Sequence, residues 1–102
     1  MLCVTVGRSR HKAMIAEYQH FADEGADLVE LRLDYIGRHI DLRRLLANRP
    51  CPLIITCRRR EDGGRWEKTE EERLMIQRSA IASGVDYVDL EEDVADQIPR
   101  YG

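Results

Sequence analysis

The sequence predicts an α/β fold that forms the first half of a (β/α)8 TIM-type barrel, with strands 1–4 parallel and the helices on the outside. Three observations favour this fold. Apolar strand patterns alternate with amphipathic helix patterns along the 102-residue chain, in the order βαβαβαβ. The turn after the first strand lacks the Gly-rich motif of a doubly wound sheet, which is the competing architecture. Polar residues end the second, third and fourth strands, and these strand ends carry the chemistry of barrels.

Length and composition indicate one partial domain without a nucleic-acid or membrane role. A complete barrel needs about 250 residues, so residues 1–102 are expected to form a single partial domain. The 19 acidic residues outweigh the arginines at 43–44 and 58–60, and no basic face with aromatics accompanies them. No segment is long enough to cross a bilayer. Three cysteines without C-x-x-C spacing predict reduced thiols in a cytoplasm, with Cys3 and Cys57 buried in apolar strands.

Seven elements are predicted, each from its own pattern. In chain order they are β1 2–6, α1 10–24, β2 27–34, α2 41–48, β3 53–58, α3 69–83 and β4 85–91. The strand β1 is an apolar run that stops before Gly7. The helix α1 follows a candidate N-cap at Ser9 and stops at Gly25, a natural left-handed position. Its apolar residues recur at helical spacing, and they are Met14, Tyr18, Phe21 and Ala22.

The strand β2 is the stretch around which the chain is organised. Its side chains alternate with period two, so one face is apolar and the other charged. The apolar face is Val29, Leu31, Leu33 and Tyr35, and the charged face is Glu30, Arg32 and Asp34. Alone, this pattern is typical of a half-exposed antiparallel strand, but its position between two helices places it in a covered parallel sheet. The charged face must then line a polar cavity, because buried unpaired charges are costly.

Local signals delimit the next helix and strand. The helix α2 begins at the cap Asp41 and ends before Pro50, with Leu42, Leu45 and Leu46 on its inner side. The strand β3 is apolar until its end, where Thr56 and Arg58 share one face.

The last two elements follow a turn at the glycine pair 63–64. The helix α3 opens with a capping box from Thr69 to Glu72. Its predicted inner side consists of Leu74, Met75, Ile81 and Ala82. The strand β4 presents Asp89 and Glu91 on one face and Val88 and Leu90 on the other. Residues 95–102 resemble one helical turn.

Four motifs, in order and spacing, resemble the first half of type I 3-dehydroquinate dehydratase. They are Glu30-Leu31-Arg32-Leu33-Asp34, Thr56-Cys57-Arg58, the glycine pair with an acid before it, and the run from Gly84 to Glu91. The resemblance implies a (β/α)8 barrel that removes water from 3-dehydroquinate in the shikimate pathway, without metal or diffusible cofactor. It implies a Schiff-base lysine and a catalytic histidine, both on later strands, beyond Gly102.

The resemblance also implies which residues bind substrate. They are Glu30, Arg32 and Arg58, with Asp62 and Thr5 as weaker assignments. A polyhydroxylated carboxylate needs carboxylates to accept from its hydroxyls and guanidinium groups to bind its oxygens. Asp62 stands where the family has Glu, so its reach is one methylene shorter. Asp34, Asp89 and Glu91 share the same strand face, and a structural charge network with the arginines accounts for them equally well.

Other candidate groups have ordinary explanations. The only lysines are Lys12 and Lys68, and neither follows a strand, so both are predicted to be solvated. The same prediction covers the three histidines, which are His11, His20 and His39. Cys51 is predicted to be a loop thiol. Trp66 either covers the pocket or packs on α3.

Two hypotheses about function follow. The first is the amino-terminal part of a type I dehydroquinase, truncated or split, which lacks the lysine and histidine. It is expected to act as a homodimer in the full enzyme, or to be completed by a carboxy-terminal half. The second is a non-catalytic half-barrel that serves as a binding or assembly module. In both, the free edges of β1 and β4 predict self-association or partial folding of the isolated chain.

Overall fold

In the computed structural model, the description covers residues 1–90. Strands and helices alternate along this range. The elements are β1 Cys3–Val6, α1 His11–Asp23, β2 Leu28–Arg32, α2 Leu42–Leu45, β3 Leu53–Thr56, α3 Glu70–Ala82 and β4 Tyr87–Val88. Two 3-10 turns, Leu33–Tyr35 and Arg60–Asp62, follow β2 and β3. The predicted strand β2 continued to residue 34, but the turn bends the chain away from the sheet after Arg32.

The four strands form one parallel sheet in the order β1-β2-β3-β4. This sequential order is that of a barrel wall, whereas a doubly wound sheet reverses its strand order at a switch point. The prediction of a half-barrel is therefore confirmed against its competitor. The register sets Thr5 opposite Glu30, and Arg32 opposite Thr56. These pairs bring polar residues of three strands side by side.

The helices cover one face of the sheet. That face supplies five strand residues that are no more than 1% exposed, namely Val6, Val29, Leu31, Leu53 and Ile55. Met14 and Tyr18 of α1 pack into the same core, as the helical stripe predicts. Leu45 of α2 and Leu46, which caps its end, are buried beside them. Burial of this apolar surface is the main stabilising contribution to the fold.

The opposite face of the sheet is open within the described residues. Cys3 is exposed on it, so the prediction that this thiol is buried was wrong. The reason is that side chains alternate between the two faces of a strand, so Cys3 and Thr5 point away from the helices while Val6 faces them. Cys57 is buried, as predicted. Tyr87 of β4 is 60% exposed on the open side.

The inner face of α3 differs from its prediction. The buried residues are Arg73, Gln77 and Ala80, whereas Met75 is 59% exposed. Arg73 is tolerated inside because its guanidinium donates to the carbonyl of Cys57 at 2.7 Å and to the carboxylate of Glu70. A buried charge needs such partners.

Helix starts agree with the sequence at two places and differ at one, while α2 ends at Leu45 instead of the predicted residue 48. Asp41 caps α2 by accepting from the Arg44 N–H, and Thr69 caps α3 by accepting from the Glu72 N–H. The N-cap of α1 is Arg10, not the predicted Ser9, and no side chain caps that end.

Some predictions fall outside the described range. Glu91 and the helical turn at 95–102 lie there. Within residues 1–90, no helix has the length and apolar character that crossing a membrane requires.

Candidate functional site

The carboxylate of Glu30 lies on the open face between two threonine hydroxyls. Thr5 Oγ1 donates to Oε1 at 2.8 Å, and Thr56 Oγ1 donates to Oε2 at 2.6 Å. The strand register creates this arrangement, because it aligns β1 and β3 on either side of β2. Each oxygen keeps a free lone pair that can accept from a ligand. Sequence reasoning placed Thr56 on the correct face but did not include it in the site.

The guanidinium of Arg32 is held by Asp34. Nε lies 3.2 Å from Oδ1, and Nη2 lies 2.9 Å from Oδ2. The side chain of Asp34 is fully buried and that of Arg32 is 13% exposed. Burial by itself would lower the pKa of Arg32, but hydrogen bonding and the charge of Asp34 outweigh it, so this pKa is raised. Asp34 is thus a positioning residue for Arg32, in line with the structural charge network that the sequence allowed.

Asp34 also connects β2 to the loop after the glycine pair. Its Oδ2 accepts the Arg65 backbone N–H at 2.9 Å. The ring of Tyr35 then lies between two guanidinium groups, with Arg65 at 4.1 Å and Arg32 at 5.3 Å from its centroid. Such cation–π contacts restrict both arginines.

Arg58 extends from the carboxyl end of β3. Its Nε donates to Asp89 Oδ2 at 3.1 Å, and Asp89 is itself tied to β3 because its N–H donates to the Ile55 carbonyl at 2.9 Å. Both side chains are about 40% exposed, at 43% and 39%. Within residues 1–90, the two terminal nitrogens of Arg58 make no hydrogen bond. They can therefore donate to a ligand.

Asp62 lies apart from these groups. It ends the 3-10 turn Arg60–Asp62, and its carboxylate accepts from Arg59 Nε at 2.6 Å. The turn closes at Gly63, which has φ of +84°, a conformation that glycine adopts readily. The next glycine, Gly64, passes so close to the Arg58 carbonyl that a Cβ would lie 2.1 Å from that oxygen. The glycine pair thus fixes the path of the loop beside Arg58.

Trp66 packs on the start of α3 and does not cover the open face. It is 6% exposed, and its Nε1–H donates to the Thr69 carbonyl at 2.9 Å. Of the two interpretations of this residue, the structure favours packing on the helix.

Of the residues predicted to be solvated, His11 is buried and Lys68 is half-buried. His11 is 6% exposed, and its Nε2 accepts the Asp41 N–H at 2.9 Å. Lys68 lies 5.0 Å from the Trp66 ring centroid and donates to the Arg38 carbonyl at 2.5 Å. Both hydrogen bonds join residues 30 positions apart, which no local pattern predicts. Lys12 and His20 are exposed, as predicted.

The cysteines and acids show no arrangement for nucleophilic or metal chemistry within residues 1–90. Burial, with added repulsion from Asp86 and Asp27, raises the pKa of Cys51, so this thiol stays protonated at neutral pH. No group of three or more His, Cys, Asp or Glu side chains in this range is placed to hold a metal ion.

The open face therefore presents one acceptor, the Glu30 carboxylate, and two guanidinium donors. Arg32 is the more buried donor and Arg58 the more exposed one. A carboxylate such as that of Glu30 can accept from hydroxyl groups, and guanidinium groups such as those of Arg32 and Arg58 can bind oxyanions. A small molecule that carries both hydroxyl groups and a carboxylate matches this set.

Comparisons with known proteins agree on one family. Residues 2–101 match the family model for Type I 3-dehydroquinase. The chain is 34% identical, over 95% of its length, to the chloroplastic bifunctional 3-dehydroquinate dehydratase/shikimate dehydrogenase of Arabidopsis thaliana, of which it covers 17%. It is 34% identical, over 98% of its length, to a 3-dehydroquinate dehydratase of Desulfotalea psychrophila, of which it covers 43%. The chain thus spans less than half the length of these relatives.

Solved structures show the same fold. The Type I 3-dehydroquinate dehydratase of Clostridium difficile superposes with a TM-score of 0.78 at 22% identity, covering 94% of this chain and 42% of that one. The 3-dehydroquinate dehydratase of Geobacillus kaustophilus gives a TM-score of 0.76 at 22% identity, with 94% and 41% coverage.

Proposed function

Because the chain belongs to the type I 3-dehydroquinase family, we propose that it forms the amino-terminal, substrate-binding part of a 3-dehydroquinate dehydratase. This carbon–oxygen lyase converts 3-dehydroquinate to 3-dehydroshikimate and water on the shikimate route to aromatic amino acids. The proposal depends above all on one observation, the Glu30 carboxylate fixed between Thr5 and Thr56 on the open face of the sheet.

Each polar group of the site has a proposed role. Arg58, whose terminal nitrogens have no hydrogen-bond partner among residues 1–90, binds the oxygens of the substrate together with Arg32, which Asp34 orients. Glu30 accepts from substrate hydroxyls, and Thr5 keeps its carboxylate in place. Asp62 is proposed to act from the loop that follows β3, where its carboxylate pairs with Arg59.

The covalent chemistry is proposed to come from residues outside 1–102. A lysine amine condenses with the ketone of the substrate and releases water, which leaves an iminium that withdraws electrons from the neighbouring carbon. A histidine removes the proton from that carbon and returns a proton to the departing hydroxyl, which leaves as water. Hydrolysis of the iminium then frees the product and the lysine. No metal or diffusible cofactor takes part.

A complementing set of strands is the proposed partner, on this polypeptide or on a second one, in a cytoplasmic enzyme that forms a homodimer. The described sheet supports this proposal, since β1 and β4 each pair on one side only. The exposed side chains of Cys3 and Tyr87 lie on the face that such strands would cover. Unpaired strand edges bind further strands readily.

A chimera tests the proposal. In the chimera, this chain replaces the segment of the Desulfotalea psychrophila relative to which it is similar over 101 residues. We expect the chimera to form dehydroshikimate, measured by the ultraviolet absorbance of its conjugated enone. Glu30→Gln and Arg58→Gln should each lower kcat/KM by about tenfold or more. Arg43→Gln, an exposed arginine of α2, is the matched control and should leave it unchanged.

The same chimera separates the two hypotheses. A folded chimera that binds 3-dehydroquinate without turnover would favour the non-catalytic binding module. Equal losses in Arg58→Gln and Arg43→Gln would contradict the proposed site.

A further inference from the structure

A basic cavity of about 400 Å³ lies where α1 and α2 begin, and the proposed dehydratase site does not use it. Its cationic lining residues are Arg10, Lys12, Arg38 and Arg44. Helices of a parallel α/β wall begin at the carboxyl ends of the strands, so this cavity, called here the basic cavity, opens at the same end of the sheet as Glu30. It lies among the helix ends, however, and not on the sheet face.

Carboxylates of residues 1–90 neutralise the four cations of the basic cavity only in part, since four positive side chains face one carboxylate. Within this range, none of the four forms an ion pair. The carboxylate that lines the cavity is Asp41, and it is engaged in capping α2, since Oδ1 accepts the Arg44 N–H at 3.1 Å. Like charges around one cavity repel one another, and a bound anion would remove that repulsion.

The start of α1 adds to the positive potential. Arg10 is the N-cap, no side chain caps the end, and the first turn contains no acidic residue. The helix α3 has the same length but a negatively charged start, with Thr69 as cap and three glutamates in its first turn. The unbonded N–H groups at a helix start favour a nearby anion, and cations there are unfavourable without one.

A largely buried histidine lines the basic cavity. His11 is 6% exposed and lines it. Its Nε2 accepts the Asp41 N–H at 2.9 Å, so the ring proton sits on Nδ1. Among residues 1–90, Nδ1–H has no hydrogen-bond partner, and Nδ1 is not one of the atoms sealed from solvent, so a ligand can reach it. An anion oxygen in the cavity would satisfy it.

We propose that the basic cavity binds the phosphate or diphosphate group of a small metabolite. Three arginines supply planar forks that fit phosphate oxygens, and Lys12 adds a point charge. The volume suits a small group, whereas an acidic protein segment would need an extended surface. The site is separate from Glu30, Arg32 and Arg58, so its occupancy does not depend on the dehydratase proposal.

Calorimetric titration of the chain with pyrophosphate at physiological salt tests the proposal. We expect a Kd on the order of 1 mM or tighter, and a shift of the His11 side-chain NMR signals on binding. The double variant Arg10→Gln/Arg44→Gln should weaken binding about tenfold or more. Its matched control is Arg43→Gln, next to Arg44 on the same helix but lining a different cavity, and this variant should bind as the unchanged chain does.

Three outcomes would contradict the proposal. It is overturned if pyrophosphate does not bind, if Arg43→Gln weakens binding as much as the double variant, or if citrate binds equally well. Circular dichroism checks folding. If the double variant does not fold, Lys12→Gln takes its place, because Lys12 is exposed on the first turn of α1, and it should still weaken binding severalfold.

Discussion

Asp34 binds the guanidinium of Arg32 with both of its carboxylate oxygens, at 3.2 and 2.9 Å. The two residues are only two positions apart, yet they belong to different elements, because β2 ends at Arg32 and a 3-10 turn begins at Leu33. The bend at this point turns Asp34 inward, where its side chain is fully buried. Of the two charges, that of Arg32 is therefore partly accessible on the open face, and that of Asp34 is internal.

Asp34→Asn should lower the free energy of unfolding by about 3 kcal/mol, since it leaves Arg32 without its ionic partner in a mostly buried position. Urea denaturation at fixed protein concentration measures this change. Asp27→Asn is the control, because Asp27 accepts a hydrogen bond from the Leu2 N–H at an exposed site. It should cost less than about 1 kcal/mol. Equal effects of the two variants would disprove the structural role of Asp34.

Thr56→Val should cost about 1 kcal/mol of stability, because the fully buried hydroxyl of Thr56 donates to Glu30 at 2.6 Å. Thr5→Val removes the equivalent bond at an exposed position, so water replaces it at a smaller cost. Equilibrium unfolding of both variants gives the comparison. The interpretation fails if Thr5→Val is the more damaging change.

Gly64→Ala should destabilise the chain by about 3 kcal/mol, because the added Cβ would lie 2.1 Å from the carbonyl oxygen of Arg58. In the chimera it should also raise KM, since the loop must move away from Arg58. Gly37→Ala is the matched control, as a Cβ there meets nothing within 4 Å. Thermal unfolding should show almost no change for Gly37→Ala.

Stability should fall as the pH drops below about 6.5, the usual pKa of histidine. Burial first, then the positive charges of Arg44, Arg38 and His39, lower the pKa of His11, while Asp41 raises it in part. The folded chain thus binds the His11 proton less tightly than the unfolded chain does. The stability that neutral His11 contributes is therefore complete above pH 6.5 and is lost as the pH falls through the pKa of the folded chain. Unfolding curves between pH 5 and 8 measure it.

The variant His11→Gln removes the titrating group and should flatten this part of the pH profile. His20→Gln removes an exposed histidine and should leave the profile as it was. A profile that changes only in His20→Gln would contradict the assignment.

Gln77→Met should stabilise the chain by about 1 kcal/mol or more. In the described part of the chain, neither the amide nitrogen nor the amide oxygen of Gln77 has a hydrogen-bond partner, although both are buried. An apolar side chain of similar length removes that cost. Gln19→Met should have the opposite sign, because Gln19 bonds to Asp23 and Asn48. Denaturant midpoints of the two variants test this difference.

The sequence by itself determined the order of elements, the two faces of β2 and the caps at Asp41 and Thr69. These features follow from local rules, because strand parity and helix capping depend on residues within four positions of one another. The family motifs followed for the same reason, since each lies within one strand or turn.

The tertiary structure alone decided which side chains meet. Glu30 finds its hydroxyl partners 25 and 26 positions away, and His11 reaches Asp41 across 30. Such partners depend on strand register and helix packing, which no local pattern encodes. The same holds for Arg73, whose burial requires the Cys57 carbonyl 16 residues earlier. A long-range contact is set by how the whole chain packs, so candidate site residues could be named from the sequence while their geometry could not.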